Sequence, residues 1–206
     1  GAEYSETLCD FVTSLREQRK PHFDEAPAPS QRHSVSWFSD QSKPISPLPG
    51  RPQRGLEVWC STRKRSVLTV VPFRELGCKV FELSRLCEMN PGVVDGMSME
   101  EILQRFPDSV ESKERDPYRF RFPRAESYHD LAIRLEPIIF ELERTREDVL
   151  IVGQSSVLRC LIAYLQGNKP GEIPFIQVRE GDLVEIRPQA FGVSSVSYTH
   201  LTLPTK

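Results

Sequence analysis

The chain has 206 residues, enough for one large domain or for one domain with appendages. A formal net charge of -2 gives no electrostatic reason to expect nucleic acid or an acidic membrane as a partner, and no apolar run is long enough to span a bilayer. A hydrophobic content of 38% is low for a compact domain and points to a stretch of chain outside the packed core.

The predicted elements open with a helix over 3–17, where Tyr4, Leu8, Phe11, Val12 and Leu15 recur at helical spacing. Residues 20–55 then hold Pro21, Pro27, Pro29, Pro44, Pro47, Pro49 and Pro52 among Ser, Gln and Arg. They read as an exposed, disordered insertion, too long for an ordinary loop. Arg32-His33-Ser34 lies inside it, with no buried strand before it to present His33 for catalysis. Leu56 to Ser61 is a short strand, and Arg63-Lys64-Arg65 follow as a helix begins. These three cations read first as a solvated turn. The sharper alternative is that one of them, at a strand's carboxyl end, grips a phosphate bidentately. Val80 to Leu83 is a second strand, followed by a turn over 87–92 whose one carboxylate, Glu88, reads by itself as a surface acid.

Ser98 caps a short helix ending near Phe106. Residues 107–125 are charged and aromatic, and the alternating aromatic and arginine side chains over 116–124 suggest an extended edge segment, with a nucleic-acid surface disfavoured by the acidic net charge. Ser127 to Arg146 has the clearest helical signature, with Ser127 and Asp130 approximating a capping box. Leu131, Leu135, Ile138, Ile139 and Leu142 form its apolar stripe, and His129 falls off that stripe. Val149 to Val152 reads as a strand buried on both faces, broken by Gly153 and leading into a helix with Val157, Leu158, Leu161, Ile162 and Leu165. Gln154, Ser155 and Ser156 occupy the turn, at the sheet edge where open α/β folds keep their sites, and Arg159 lies one turn on. Phe175 to Val178 and Leu183 to Arg187 read as an antiparallel pair around Glu180-Gly181-Asp182. Residues 193–206 show no clean pattern and are expected to be a non-native tail outside the fold.

The five cysteines form no CxxC pair; Cys60 and Cys160 sit in apolar patterns, as expected of reduced thiols in a cytoplasmic protein. The four histidines lack metal-ligand spacing, so no metal is expected. Gly153-Gln154-Ser155 opens like the nucleophile elbow of a serine hydrolase, but Val157 stands where that motif needs its closing glycine.

Val58-Trp59-Cys60-Ser61 through Arg63-Lys64-Arg65-Ser66 resembles the V-W-T-S-x-x-K-R-T segment of a known family. Asp116 to Pro123 with Glu126-Ser127-Tyr128 resembles its D-x-Y-R-Y-R-Y-P-x-G-E-S-Y block. Leu135-Glu136-Pro137-Ile138-Ile139 and Val157-Leu158-Arg159-Cys160-Leu161 follow in the same order. That family is the phosphatase half of bifunctional 6-phosphofructo-2-kinase/fructose-2,6-bisphosphatase, within the histidine phosphatase (phosphoglycerate mutase-like) superfamily. The resemblance covers most of 56–192 and places residues 1–19 as a helix of the same domain.

It implies a three-layer α/β fold with a mostly parallel sheet, and a phosphohistidine mechanism on fructose 2,6-bisphosphate. Arg65 matches a phosphate-binding arginine, Glu88 the acid, and Tyr128 and Arg159 substrate contacts. Gln154 stands in place of the second histidine, and Ser155 in place of the glutamine after it. A substrate-contacting tyrosine falls on Met99, and two cationic contacts fall on Lys113 and Pro117. The family's R-H-G motif belongs on a first strand that these residues do not include. Its absence is expected to bare the edge of the next strand and favour aggregation. The expectation is a fragment of a larger enzyme, catalytically inactive as it stands, needing no cofactor, with ATP used by a kinase half that is absent. Its partners would be fructose 2,6-bisphosphate or a related sugar phosphate and that kinase domain. The alternative is a non-catalytic module that senses a sugar phosphate.

Overall fold

A computed structural model describes residues 2–18, 55–189 and 192–199. The Pro-rich stretch therefore lies outside the described residues apart from Gly55, as do His22, His33, His200 and the last residues of the chain.

The first element is α1 (Ala2–Glu17), which presents Leu8, Phe11 and Val12 on one buried stripe. Next come β1 (Leu56–Cys60), α2 (Lys64–Thr69), α3 (Val71–Glu75) and β2 (Lys79–Glu82). After them stand α4 (Met99–Arg105), α5 (Pro107–Arg115), α6 (Tyr128–Arg144), β3 (Asp148–Val152) and α7 (Ser155–Gln166). The hairpin β4 (Leu183–Gln189) and β5 (Gly192–Tyr198) completes the described chain.

The strands β2, β1 and β3 form one parallel sheet in that order, with β1 in the centre and Trp59 opposite both Phe81 and Ile151. The two faces of β1 explain the layers. Side chains alternate along a strand, so Val58 and Cys60 face Leu8, Phe11 and Val12 of α1 and Phe73 of α3. Trp59 faces the other way, into Leu131, Leu135 and Ile138 of α6 and Val157 and Leu161 of α7. No described helix is long and apolar enough to cross a membrane.

Several expectations change in the structure. Residues 107–115 form α5, and the alternating stretch after it is turns and coil rather than an extended edge strand. Pro107 occupies the first turn, where its missing N–H costs nothing, and Glu111 pairs with Arg115 one turn on (2.9 Å). Phe175 to Val178 is not a strand: a 3₁₀ turn spans Pro170–Phe175, and the partner of β4 is β5. Part of the expected tail thus enters the fold, and the Tyr198 ring meets Phe11 edge-on at 5.2 Å. β3 is less enclosed than its composition suggests, with Leu150 its one buried residue. The reason is pairing: among the described residues β3 has a neighbour on one side only. β1, whose edge was expected to be bare, is instead paired on both sides among the described residues.

The cap of α6 is as expected. The Asp130 N–H donates to Ser127 Oγ (3.1 Å), and the Ser127 N–H donates to Asp130 Oδ2 (2.9 Å). The bonds from the Ser127 backbone and hydroxyl, followed by Arg121 at 2.9 Å, hold the Asp130 carboxyl below its ordinary value. A depressed carboxyl contributes stability that is present above its unfolded pKa of about 3.9 and lost as pH falls through the lower folded value. Ser127→Ala is expected to cost about 1 kcal/mol at neutral pH. Thermal melts should show that the deficit shrinks once the pH drops well below about 4, where Asp130 is protonated in both states.

Candidate functional site

Three parallel strands deliver their carboxyl ends to one edge, and backbone bonds hold those ends level. The Ser61 N–H donates to the Val152 carbonyl (3.3 Å), and the Leu83 N–H donates to the Cys60 carbonyl (2.8 Å). The loops leaving β1, β2 and β3 therefore start side by side. They carry Arg63 to Arg65, Glu88, and Gln154 with Ser155.

On the first loop, buried Ser61 donates from Oγ to Ser66 Oγ (2.8 Å), tying the strand's exit to α2. Arg63 and Arg65 are left pointing outward, and each reaches Glu88. Arg63 Nη2 lies 3.3 Å from one carboxylate oxygen, and Arg65 Nη2 donates to the other. With Lys64 and Leu68 these residues line an open depression of about 480 Å³. The reading of Arg63-Lys64-Arg65 as a plain solvated turn is therefore incomplete. They are exposed, but two of the three converge on one carboxylate.

Glu88 sits on the loop after the 3₁₀ turn Ser84–Leu86, and Leu86 is fully buried beneath it. An added Cβ on Gly153 would lie 3.9 Å from the Leu86 carbonyl and 3.8 Å from Val157 and Leu158. The Glu88 loop and the β3–α7 turn thus run against each other. The sequence did not suggest a further member of this region, Arg134 on α6. Its Nη1 donates to the Arg85 carbonyl (2.7 Å), and its Nη2 to the carbonyls of Cys87 (3.1 Å) and Glu88 (3.3 Å). Only its place off the apolar stripe marks Arg134 in the sequence.

At the third loop Gln154 is the N-cap of α7, extended at φ -83° and ψ 157°, and its side chain caps nothing. Ser155 is exposed at the first helical position. One turn on, Arg159 Nη1 donates to Tyr128 Oη (3.0 Å) and to the Pro174 carbonyl (3.4 Å). The structure thus places Arg159 and Tyr128 in contact. Arg159 Nε is buried with no hydrogen-bond partner among the described residues. A buried guanidinium N–H left unpaired is costly, and an anion is its natural complement. Next to it, burial pushes the Cys160 thiol up to about 12, leaving it neutral.

Other candidates lie apart. Lys113 is exposed on α5 and pairs with no described residue, and Met99 is exposed at the start of α4. Gln154, Tyr128 and Arg159 are not in the lining of the Arg63–Glu88 depression. His129, the only histidine among the described residues, stacks on Tyr118 with ring centroids 5.9 Å apart.

A parallel sheet between two helical layers, with cations and one carboxylate at its carboxyl edge, describes the class of open α/β domains that bind ligands at that edge. A family model described as "Histidine phosphatase superfamily (branch 1)" matches residues 51–200. The chain belongs to the histidine phosphatase superfamily.

Among curated proteins, the chain is 39% identical over 139 residues to the fructose-2,6-bisphosphatase of Saccharomyces cerevisiae, covering 66% of this chain and 29% of that one. It is 38% identical over 139 residues to the 6-phosphofructo-2-kinase/fructose-2,6-bisphosphatase of Gallus gallus, covering 68% and 29%. A second Saccharomyces cerevisiae protein, provisionally assigned the same bifunctional name, is 36% identical over 186 residues, covering 90% of this chain and 34% of its own. The chain thus spans about a third of the length of these relatives. Among solved structures, the α-ribazole phosphatase of Shigella flexneri superposes with a TM-score of 0.59 at 19% identity, covering 72% and 75% of the two chains. The YhfR protein of Bacillus stearothermophilus gives 0.59 at 22%, covering 69% and 73%. At such identities these neighbours speak for the fold alone, and the α/β fold class expected from the sequence is borne out.

Proposed function

We propose that this chain is the phosphatase-type portion of a longer cytoplasmic protein of fructose 2,6-bisphosphate metabolism, and that it binds a sugar bisphosphate without hydrolysing it. The observation that carries the reading is the buried, unpartnered Nε of Arg159, one turn into the helix that Gln154 caps. A phosphate oxygen is a charge-assisted acceptor for that N–H, with Tyr128 Oη already held beside it at 3.0 Å. Arg65 would supply a second cation, and Ser155 a hydroxyl at the open end of α7. Lys113 would enter only from the exposed face of α5.

The inactive reading is supported by Gln154, which stands where the family has its second, phosphate-holding histidine. A carboxamide donates hydrogen bonds to a phosphoryl group but cannot become cationic, so the cradle for a transferring phosphoryl group is one charge weaker. Glu88, matched to the acid by resemblance, is already ion-paired with Arg63 and Arg65. The kinase half, and ATP as its cofactor, would lie on the part of the longer protein that this chain does not span. The names of the relatives support this reading.

The test is titration calorimetry with fructose 2,6-bisphosphate, run beside an assay for released fructose 6-phosphate. Saturable heat with no release is the expected result. Measurable release sinks the inactive reading, and the absence of any heat sinks the binding one.

A further inference from the structure

Arg134 makes more hydrogen bonds than any fold-building role on α6 requires, and most of them converge on one loop. Its fork pairs with Glu126 through Nε to Oε1 (2.7 Å) and Nη2 to Oε2 (3.0 Å). The remaining donors take the carbonyls of Arg85, Cys87 and Glu88. Glu126 extends the grip to the far side of the loop. The Asn90 N–H donates to Glu126 Oε2 (2.8 Å), and the Glu126 N–H returns to the Asn90 carbonyl (2.9 Å). Past Asn90 the chain packs so closely that a Cβ on Gly92, at φ +66°, would lie 2.4 Å from the Pro123 carbonyl. The loop backbone is fastened on both sides of Glu88, and its half-buried carboxylate lies on Arg63 and Arg65.

We infer that Arg134 is a positioning residue whose clamp on the 85–88 loop holds the Glu88 carboxylate on Arg63 and Arg65 as an internal counter-ion, so that an entering phosphate must displace it. The inference rests on the reading of this mouth as an anion site. Its physical basis is competition. Each guanidinium presents its fork to one partner at a time, and a carboxylate and a phosphate oxygen want the same donors. A loop free to swing would lose the carboxylate to water, because half-exposed ion pairs are weak without preorganisation. Lysine at position 134 would keep the positive charge but has no planar fork to reach three carbonyls and Glu126 together.

The test compares the full chain with Arg134→Lys, Glu88→Gln and the double variant. Two probes are used: phenylglyoxal labelling of Arg63 and Arg65 followed by mass spectrometry, and inorganic phosphate affinity by calorimetry. Releasing two partly exposed ion pairs is expected to speed labelling and tighten phosphate binding by about threefold to tenfold in each single variant. In the double variant Arg134→Lys should add nothing, because its effect runs through Glu88. A brace for the fold alone would lower the melting temperature, leave Arg63 and Arg65 labelling unchanged, and weaken or preserve phosphate binding. Any of those labelling or binding results overturns the inference. If Arg134→Lys does not fold, Glu126→Gln, which keeps an acceptor for Asn90, must raise labelling in the same direction; no rise overturns the inference equally. If labelling rises as expected but the parent chain binds neither phosphate nor fructose 2,6-bisphosphate, the clamp stands and the proposed function fails.

Discussion

Arg159→Met is expected to weaken phosphate binding by about tenfold to a hundredfold while leaving the melting temperature level or slightly higher. Methionine keeps an apolar, flexible stem of similar length, so the stem's packing is largely retained. What goes is a charged donor set, and hydrogen bonds to charged groups are worth about 1.5–3 kcal/mol each. That range corresponds to the stated loss at about 1.4 kcal/mol per tenfold. The stability prediction has the opposite sign for a specific reason. Arg159 Nε is buried with no partner among the described residues, so removing it relieves a cost rather than adding one. The bonds to Tyr128 Oη and the Pro174 carbonyl work against this gain. Calorimetric titration with phosphate and a thermal melt on the same sample separate the two readings. If affinity holds and the melting temperature falls, Arg159 is a brace between α6 and the 3₁₀ turn that follows α7, and the anion site must be sought elsewhere.

Leu86→Ala should cost about 2–5 kcal/mol of unfolding free energy, the range for emptying a buried leucine position. Leu86 is fully buried among Trp59, Leu131, Leu135 and Val157, where the sheet and both helices of one layer meet. It also seats the loop that carries Glu88, through its N–H to the Leu83 carbonyl (3.0 Å) and its carbonyl against Gly153. The cavity would form under the loop, where α6 and α7 cannot close in without unpacking from β1. The upper part of the range is therefore expected. Urea unfolding at unchanged m-value reads the loss directly. A change below about 1 kcal/mol would mean that the loop is not packed as described.

The relation between these residues and the sequence is uneven. α1, β1, the capped start of α6 and the strand–turn–helix at β3–α7 follow from local periodicity and capping residues. Arg159 and Tyr128 were identified through a family resemblance, and the structure places them in contact. The ion pairs of Glu88 with Arg63 and Arg65 were not legible, because the partners lie more than twenty residues apart and meet only through a parallel crossover. Arg134 was invisible for a related reason. Its partners are backbone carbonyls, which every sequence has and none advertises.

The sequence by itself determined the elements whose stability is local: helices with an apolar stripe and a capping box, and strands that are short β-branched runs. It also determined the chemistry available at the sheet edge, including a carboxamide at Gln154. The tertiary structure decided matters that depend on neighbours. It turned 107–115 into a helix, gave β4 its partner in β5, left β3 paired on one side, and drew three cations and a carboxylate into one mouth. A side chain's period is written in the few residues around it, whereas its partner is set by which strands close side by side.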